Sequence, residues 1–201
     1  MILIACAVAK ELQFLAPRPH VEVLVTGVGP VEAAAAVSRA LGMGPYDLVI
    51  NAGLGGTLGG APIGSGVVVS DDSFELDLET GIALALPDGA AVVDRVASDL
   101  TLVDALVERG FRCERGVTVG RVTASEETAQ RLARRGATVE SMEGFAVLRA
   151  AEIAGVPAIE VRGISNRAGE RVRSGWDFSA GVAGLASVLD ALLKVTAPAD
   201  A

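Results

Sequence analysis

Short, uninterrupted apolar runs alternate along the chain with longer segments whose apolar residues recur at the helical period. The apolar runs are shorter than an ordinary helix, which is typical of strands buried on both faces. The longer segments carry helix signals, such as Pro30 at a first helical position and Gly110 and Gly155 at helix ends. We predict strands over 2–8, 21–26, 47–51, 66–70, 115–123, 137–140 and 157–164. We predict helices over 30–41, 98–109, 126–135, 143–154 and 178–194, with Ser98, Ser125 and Asp177 as N-terminal caps.

This alternation of strands and helices indicates an α/β fold, with three αβα layers around a mainly parallel, mixed central sheet. No linker, internal repeat or low-complexity segment interrupts the pattern, so we expect one domain over 1–201 with a frayed tail at 196–201. In such folds ligands bind beyond the carboxyl ends of the strands. That rule selects the segments 9–12, 27–30, 51–56, 141–144 and 165–167 as candidate ligand sites.

The composition excludes several classes of function. Hydrophobic residues make up 51% of the chain and aromatic residues 3%, and the formal net charge is −8. A large core can therefore form, whereas the basic surface and stacking side chains of a nucleic-acid binder are lacking. The first apolar run has no basic segment before it and is too short to span a bilayer, so we expect a cytoplasmic protein without membrane partners. With two cysteines and one histidine, neither a disulfide framework nor a metal site is expected, and we expect Cys6 and Cys113 to be buried.

Two glycine-rich stretches follow predicted strands. TGVGPVEAA at 26–34 opens a helix, where glycine lets the backbone approach an anion or a sugar. Glu32 stands at the third glycine position of a dinucleotide fingerprint, and NAGLGGTLGG at 51–60 lacks the Lys-Ser/Thr of a triphosphate-binding loop. Either stretch alone is equally consistent with a tight turn at a strand end, but two at one edge of the sheet favour a ligand pocket.

Three polar side chains stand near the predicted carboxyl ends of strands. Glu11 suits a general base that activates water, and Glu143 suits a carboxylate that accepts two hydrogen bonds from a vicinal diol. Asn166, with one acceptor and two donors, suits the edge of a heteroaromatic ring. Each also has an ordinary structural reading, since first helical turns favour exposed carboxylates, as we expect for Glu140, and turns favour asparagine. Trp176 either caps the core or covers a substrate.

Taken in order, these segments resemble the nucleoside phosphorylase and nucleosidase superfamily over nearly the whole chain. The resemblance rests on AVAKELQFL, TGVGPVEAA, NAGLGGTLGGAPIGSGVVVSDD, VESMEGFAVLRAAEIAGVPAIEVRGISN and a closing WDF. The pair VESMEG and RGISN is its most specific part. Within the superfamily the chain looks like the methylthioadenosine/adenosylhomocysteine nucleosidases and, more closely, like the futalosine hydrolases.

The resemblance implies a role for each polar candidate. Glu11 falls on the carboxylate that activates water, and Glu143 on the glutamate that binds the ribose hydroxyls, with Met142 packing under the sugar. Asn166 falls on the residue that faces the purine N7 edge, where the adenine-specific nucleosidases have aspartate. An asparagine amide suits a 6-oxopurine, so the resemblance implies hydrolysis of futalosine to hypoxanthine and dehypoxanthine futalosine, a step of menaquinone biosynthesis. It also implies a homodimer or larger homo-oligomer whose reaction needs water but no cofactor or metal.

Two departures from the family pattern concern substrate contacts. Leu54, in the turn with Gly53 and Gly55 that we expect to contact the substrate, replaces a serine that is common in the nucleosidases. The aromatic residue that stacks on the base is missing from VTASEET, where backbone groups or Ser125 and Glu126 would supply the base contacts instead.

A separate region of the chain is expected to bind the 5′ side arm of the substrate. Residues 72–88 match the lining of the 5′ pocket in the nucleosidases, with Phe74, Leu84 and Leu86 as apolar walls. Futalosine carries an aryl keto carboxylate arm on this side. The basic cluster at 167–173 is either a solvated face or the site that holds the carboxylate of this arm.

The same comparison disfavours phosphorolysis. VAKEL stands where the related phosphorylases have a Gly-Asp-Pro-x-Arg run, and VINAG has no arginine before its glycine turn. The alternatives that stay open are a methylthioadenosine/adenosylhomocysteine or aminofutalosine nucleosidase, a purine nucleoside phosphorylase, and a non-catalytic nucleoside-binding domain on the same scaffold.

Overall fold

The computed structural model describes residues 1–75, 92–170 and 175–196. Within these ranges the chain forms eight strands, a short 3-10 helix and five α-helices. The strands are β1 Ile2–Cys6, β2 Val21–Val25, β3 Leu48–Thr57, β4 Gly66–Phe74, β5 Arg95–Ala97, β6 Arg112–Thr118, β7 Val139–Ser141 and β8 Ala158–Arg167. The helices are the 3-10 helix Ala9–Leu12 and α1 Pro30–Leu41, α2 Leu100–Val107, α3 Glu126–Arg134, α4 Gly144–Ala154 and α5 Phe178–Val195.

The strands form one mixed sheet that closes on itself at one end. β1 lies between β2 and the first half of β3, and all three run parallel. From β3 the pairing continues through β8, β4, β6 and β7, and the first two residues of β7 return to pair antiparallel with Gly56 and Thr57 of β3. β5 adds an antiparallel edge to β4. Most of these pairings are parallel, as the sequence predicts.

β1 shows how the sheet divides the core. Because neighbouring side chains of a strand point to opposite faces, Leu3 and Ala5 lie in one hydrophobic cluster and Ile4 and Cys6 in another. The first cluster includes buried residues of α1 and α4, and the second includes those of α2 and α5. Helices therefore cover both faces of the sheet, and the predicted three-layer α/β fold is confirmed.

β3 is longer than predicted, because the glycines after Asn51 continue the strand and do not turn. A Cβ atom on Gly53 would lie 2.6 Å from Nη1 of Arg162, and one on Gly55 would lie 3.0 Å from the Glu140 carbonyl oxygen. Glycine is therefore needed here for close approach between strands. β4 and β8 also run beyond their predicted ends, which places Asn166 inside a strand and removes its reading as a turn residue.

The helix boundaries follow the predicted caps with one exception. The side chains of Ser125 and Asp177 accept hydrogen bonds from the backbone N–H groups of Thr128 and Ala180, as predicted. α2, however, is capped by Asp99, and the prediction of Ser98 is wrong. Ser98 is buried, and its hydroxyl accepts a hydrogen bond from the Glu160 N–H.

Two further predictions are wrong in detail. β6 ends at Thr118, so the predicted strand over 115–123 is displaced toward the N-terminus, and β5 was not predicted. Cys113 is exposed because it lies on the outer, solvated start of β6, whereas Cys6 is buried as expected. Phe74 stacks on Phe145 with ring centroids 5.5 Å apart and does not line the cleft of its own chain that is described below, so its predicted place in a 5′ pocket that reaches across a dimer interface stays a prediction.

α5 has the length and hydropathy of a membrane-crossing helix, and it alone does so in the described part of the chain. Leu185, Val188, Leu189 and Leu192 of this helix are fully buried in the core. Its apolar face is thus occupied by β8 and β4. The predictions for Leu84, Leu86, Arg171, Arg173 and the tail after Thr196 fall outside the described residues.

Candidate active site

A cleft of about 720 Å³ lies at the carboxyl ends of β1, β3, β7 and β8. The 3-10 helix and the start of α5 complete its walls. This is the edge of the sheet at which ligands were expected. Glu11, Glu143 and Asn166, which lie far apart in the sequence, all line this one cleft.

Glu11 is fixed by backbone groups. Its Oε1 accepts a hydrogen bond of 2.9 Å from the Leu54 N–H, and its Oε2 accepts one of 3.2 Å from the Val8 N–H. The side chain is only partly exposed. The reading of Glu11 as a solvated helix residue therefore does not hold, and the carboxylate is held in one orientation beside the cleft.

Glu143 stands at the N-cap position of α4 and is buried. Its Oε1 accepts a 2.9 Å hydrogen bond from the Gly29 N–H, so the glycine turn before α1 orients this carboxylate. Burial raises the pKa of the Glu143 carboxyl, and the Arg162 cation and the Gly29 hydrogen bond oppose that rise.

Cys6 lies near enough to both carboxylates to respond to their charges. Burial, followed by the negative charges of Glu11 and Glu143, raises the pKa of its thiol to about 12. Cys6 therefore stays a neutral thiol and does not act as a nucleophile at neutral pH.

Asn166 reaches the cleft because β8 contains a bulge. Gly55 pairs with Ile164 and Gly56 pairs with Asn166, so Ser165 is the extra residue. A bulge redirects the side chains that follow it. Asn166 Oδ1 accepts a 2.9 Å hydrogen bond from the Ser165 hydroxyl, and Nδ2 donates one of 3.2 Å to the Arg167 carbonyl. One N–H and one acceptor lone pair of the amide stay available for a ligand.

Arg162 is a charged residue of the site that the sequence reading missed. It is 1% exposed, and its Nε donates a 2.7 Å hydrogen bond to Oε1 of Glu160. Its Nη1 lies 3.9 Å from Glu143 Oε2 and 3.4 Å from the Leu54 carbonyl. Burial lowers the pKa of this guanidinium, but the negative charges of Glu160, Glu143 and Glu11 raise it by more than burial lowers it, so the group stays charged. The sequence does hold a signal for this residue, because Glu160 and Arg162 are two opposite charges inside the apolar run AIEVRGI.

The other predicted contact residues divide into two groups. Met142, Leu54, Gly55 and Trp176 line the cleft. The Trp176 ring also lies 5.5 Å from that of Phe178, which lines the cleft too. Of the two readings of Trp176, the position beside a ligand therefore agrees with the structure.

Gly53, Ser125 and Glu126 are not among the lining residues. Gly53 instead makes room for Arg162 and Glu11 behind the cleft. Ser125 is occupied as the cap of α3, and Glu126 is exposed and paired with Arg167. The predicted base contacts of Ser125 and Glu126 stay predictions, and in this structure both side chains are engaged at α3.

Glu140 and Lys10 line the cleft without having been predicted to do so. The expectation that Glu140 is an exposed first-turn residue is wrong, because it lies in β7 and is 5% exposed. Its Oε1 accepts a 3.0 Å hydrogen bond from the Thr123 N–H, and burial raises the pKa of its carboxyl. Within 1–75, 92–170 and 175–196, no three His, Cys, Asp or Glu side chains are grouped so as to hold a metal ion.

Comparison with known proteins identifies the family to which the chain belongs. The sequence profile of the Phosphorylase superfamily matches residues 13–195. The futalosine hydrolase of Streptomyces coelicolor is 34% identical, with 96% of this chain and 95% of that protein covered. This chain belongs to the futalosine hydrolase family. Another member, from Thermus thermophilus, is also 34% identical, with 85% of this chain and 80% of that protein covered. The family indicated by the motifs is thereby confirmed.

Solved nucleosidase structures share the fold of this family member. The S-adenosylhomocysteine nucleosidase of Streptococcus pyogenes, in complex with 5-methylthiotubericidin, matches with a TM-score of 0.82. The match covers 98% of this chain and 97% of that one at 20% sequence identity. At this identity the likeness shows the fold alone.

Proposed function

We propose that this protein hydrolyses the N-glycosidic bond of futalosine, releasing hypoxanthine and dehypoxanthine futalosine in menaquinone biosynthesis. The observation that carries the proposal is the meeting of two carboxylates and one amide, those of Glu11, Glu143 and Asn166, on one cleft. The 34% identity to futalosine hydrolases over most of the chain supports the choice of substrate.

The register of β3 and β8 gives the cleft a direction. Asn166 pairs with Gly56, whereas Glu11 is bonded to the Leu54 N–H and adjoins Gly53. Two to three residues of strand span about 7–10 Å, which suits the length of a nucleoside. A purine edge held at Asn166 therefore leaves the ribose beside Glu143 and Glu11.

The reaction is a displacement at C1′ of the ribose. As the C1′–N9 bond breaks, its electron pair passes to the purine, which takes a proton from solvent to become hypoxanthine, and the sugar gains oxocarbenium character. The carboxylates of Glu11 and Glu143 stabilise this developing positive charge in a partly dry site. Glu11 orients the attacking water and takes its proton, a general-base contribution of about 10²–10⁴-fold.

The leaving purine must be stabilised as it takes up the electron pair. The free N–H of Asn166 donates to N7, and a 6-oxopurine presents its O6 acceptor beside N7 where a 6-aminopurine presents a donor, which suits an amide donor at this position. The charge of Arg162 favours the ionised form of Glu143, because it opposes the rise that burial causes in the pKa of that carboxyl. An ionised Glu143 can accept hydrogen bonds from both ribose hydroxyls.

Water is favoured over phosphate as the nucleophile by the charges of the cleft. Three carboxylates, those of Glu11, Glu140 and Glu143, line it. Among the described residues, Lys10 is the one basic side chain in the lining, and Arg162 is already committed to Glu160. A phosphate dianion would therefore meet net repulsion at the position of the nucleophile.

Lys10 also bears on the choice between nucleosides. It lies on the 3-10 helix next to Glu11 in the sequence and lines the cleft. We infer that its ammonium group meets the carboxylate of the 5′ arm of futalosine. A methylthio substituent offers no such charge, so this contact favours futalosine over methylthioadenosine.

We further propose that the protein is a cytoplasmic homodimer or larger homo-oligomer. Val28 lines the cleft and is 55% exposed, and Val31 beside it is 77% exposed. A second copy that covered these side chains would border the cleft. Light scattering coupled to size exclusion measures the assembly, and a monomer at working concentration would contradict it.

A substrate panel tests the proposed function. Futalosine, aminofutalosine, methylthioadenosine and inosine are each incubated with the protein, with and without phosphate, and the released base is separated by chromatography. We expect hypoxanthine from futalosine at a rate independent of phosphate. Preferential release of adenine would indicate one of the adenine-specific nucleosidases, a strict need for phosphate would indicate a phosphorylase, and no release from any compound would indicate a binding domain.

A further inference from the structure

Two carboxyl groups that the reaction does not use lie behind the cleft. Asp72 of β4 and Glu160 of β8 are both 0% exposed, and neither lines the cleft. Buried carboxylates are costly unless they are paired or neutralised. Two of them side by side therefore require an explanation.

A chain of contacts links the pair to the active site. The Thr118 hydroxyl donates a 2.8 Å hydrogen bond to Asp72 Oδ1, and the other oxygen of Asp72 adjoins the Glu160 carboxylate, since both lie against the Cα of Gly144. Glu160 Oε1 accepts the 2.7 Å hydrogen bond from Nε of Arg162. The far side of the Arg162 guanidinium faces Glu143 and the Leu54 carbonyl.

Two glycines make the space that the pair occupies. A Cβ atom on Gly144 would overlap Asp72 Oδ2 and both carboxylate oxygens of Glu160. A Cβ atom on Gly116 would overlap Asp72 Oδ2 as well. The backbones of β6 and α4 thus approach the two acids so closely that only glycine fits at either position.

The facing oxygens of the two acids would repel each other if both carboxyl groups were ionised, so a proton between them is favoured. Asp72 Oδ2 and Glu160 Oε2 both lie against Gly144, and neither has a donor within the described residues. Burial and then the charge of Glu160 raise the pKa of Asp72 well above its ordinary value, while Thr118 and Arg162 oppose this rise. The titratable groups around Asp72 are Glu160 and Arg162 of β8, with Glu143 beyond them.

We propose that Asp72 is a neutral, protonated acid that donates a hydrogen bond to the Glu160 carboxylate, and that Glu160 is the positioning residue that fixes Arg162 against the catalytic carboxylates. Protonated Asp72 holds Glu160 in place without adding a second charge. Glu160 balances Arg162 from behind, which leaves the Nη side of the guanidinium facing Glu143. The role assigned to Arg162 in catalysis rests on the proposed function, but the protonation of Asp72 does not.

Conservative variants test the pair through activity. Asp72→Asn keeps a donor toward Glu160 and adds no charge, so we expect activity of the same order as the parent. Asp72→Ala leaves Glu160 without that donor, and we expect about tenfold lower kcat/KM. Glu160→Gln frees Arg162 to shift toward Glu143, and we expect a loss of about 100-fold.

The pH profile separates positioning from a purely structural role. The charge of Glu160 raises the pKa of Glu143. Glu160→Gln should therefore move the acidic limb of the kcat/KM profile to lower pH, while Asp72→Asn leaves the limb unchanged. An unmoved limb in Glu160→Gln with normal kcat/KM, or a loss in Asp72→Asn equal to that in Asp72→Ala, would overturn the proposal.

Thermal unfolding tests the proton on Asp72 without any substrate. A carboxyl whose pKa is raised by folding stabilises the native state at low pH and loses that contribution as pH rises through the folded pKa. We therefore expect Tm of the parent to fall toward alkaline pH more steeply than Tm of Asp72→Asn. Parallel Tm curves would refute the neutral acid, whereas a parent that cleaves no nucleoside but shows this difference would refute the proposed function alone.

Discussion

Replacing Glu11 by glutamine removes one negative charge and one acceptor from the cleft while preserving the size of the side chain. In the parent both oxygens accept backbone hydrogen bonds, from Leu54 at 2.9 Å and from Val8 at 3.2 Å. The glutamine amide can satisfy one of these N–H groups with its oxygen, and its NH₂ group must then face the other. The geometry of the cleft should survive, but the proton acceptor for water is lost.

The expected loss follows from the role of a general base. Such a group contributes about 10²–10⁴-fold to the rate, so kcat should fall by at least about 100-fold. One unsatisfied backbone N–H costs about 1–3 kcal/mol when buried, and less here because Glu11 is partly exposed. The variant should therefore stay folded and should bind hypoxanthine with near-parent affinity.

Hypoxanthine release measured by ultraviolet absorbance, with calorimetry for hypoxanthine binding, separates the two effects. Glu152→Gln makes the same chemical change on an exposed residue of α4 and serves as the matched control. Parent-like turnover in Glu11→Gln, or equal losses in both variants, would remove Glu11 from the role of base.

Three other substitutions test separate parts of the site. Asn166→Asp should raise the rate on 6-aminopurine nucleosides relative to 6-oxopurines, and an unchanged ratio would contradict the base assignment. Lys10→Ala should lower kcat/KM for futalosine but not for inosine, which lacks the carboxylate arm; equal effects on both would contradict the arm contact. Gly53→Ala places a Cβ 2.6 Å from Arg162 Nη1. We expect the free energy of unfolding to fall by about 1–3 kcal/mol, with lower Tm and lower kcat, and parent-like values would contradict this close packing.

The sequence was informative wherever a single local rule decides the structure. α1 begins at Pro30 and ends at Leu41 as predicted, because proline and the following periodic alanines act locally. Glu11, Glu143 and Asn166 meet on one cleft because the carboxyl ends of neighbouring strands share an edge of the sheet. A parallel sheet thus converts sequence order into spatial proximity at its functional edge.

The remaining features depend on contacts between distant segments. The glycines at 53, 55 and 56 signal a turn by local rules, but they extend β3 because Arg162, Glu140 and Asn166 press against them. The pattern of an apolar strand does not single out Glu160 and Arg162, because only the folded core shows that they pair with each other. The bulge at Ser165, which aims Asn166, likewise depends on the register with β3.

The proposed hydrolysis of futalosine requires that water is the group that replaces hypoxanthine at C1′. The direct test is to incubate the protein with futalosine in ¹⁸O-labelled water that also contains phosphate, and to analyse the sugar product by mass spectrometry. Enzymatic hydrolysis predicts the free sugar, with one ¹⁸O atom at C1′ when it is analysed before the anomeric oxygen exchanges with solvent, and no sugar phosphate. Recovery of a 1-phosphate, or of intact futalosine under these conditions, would contradict it.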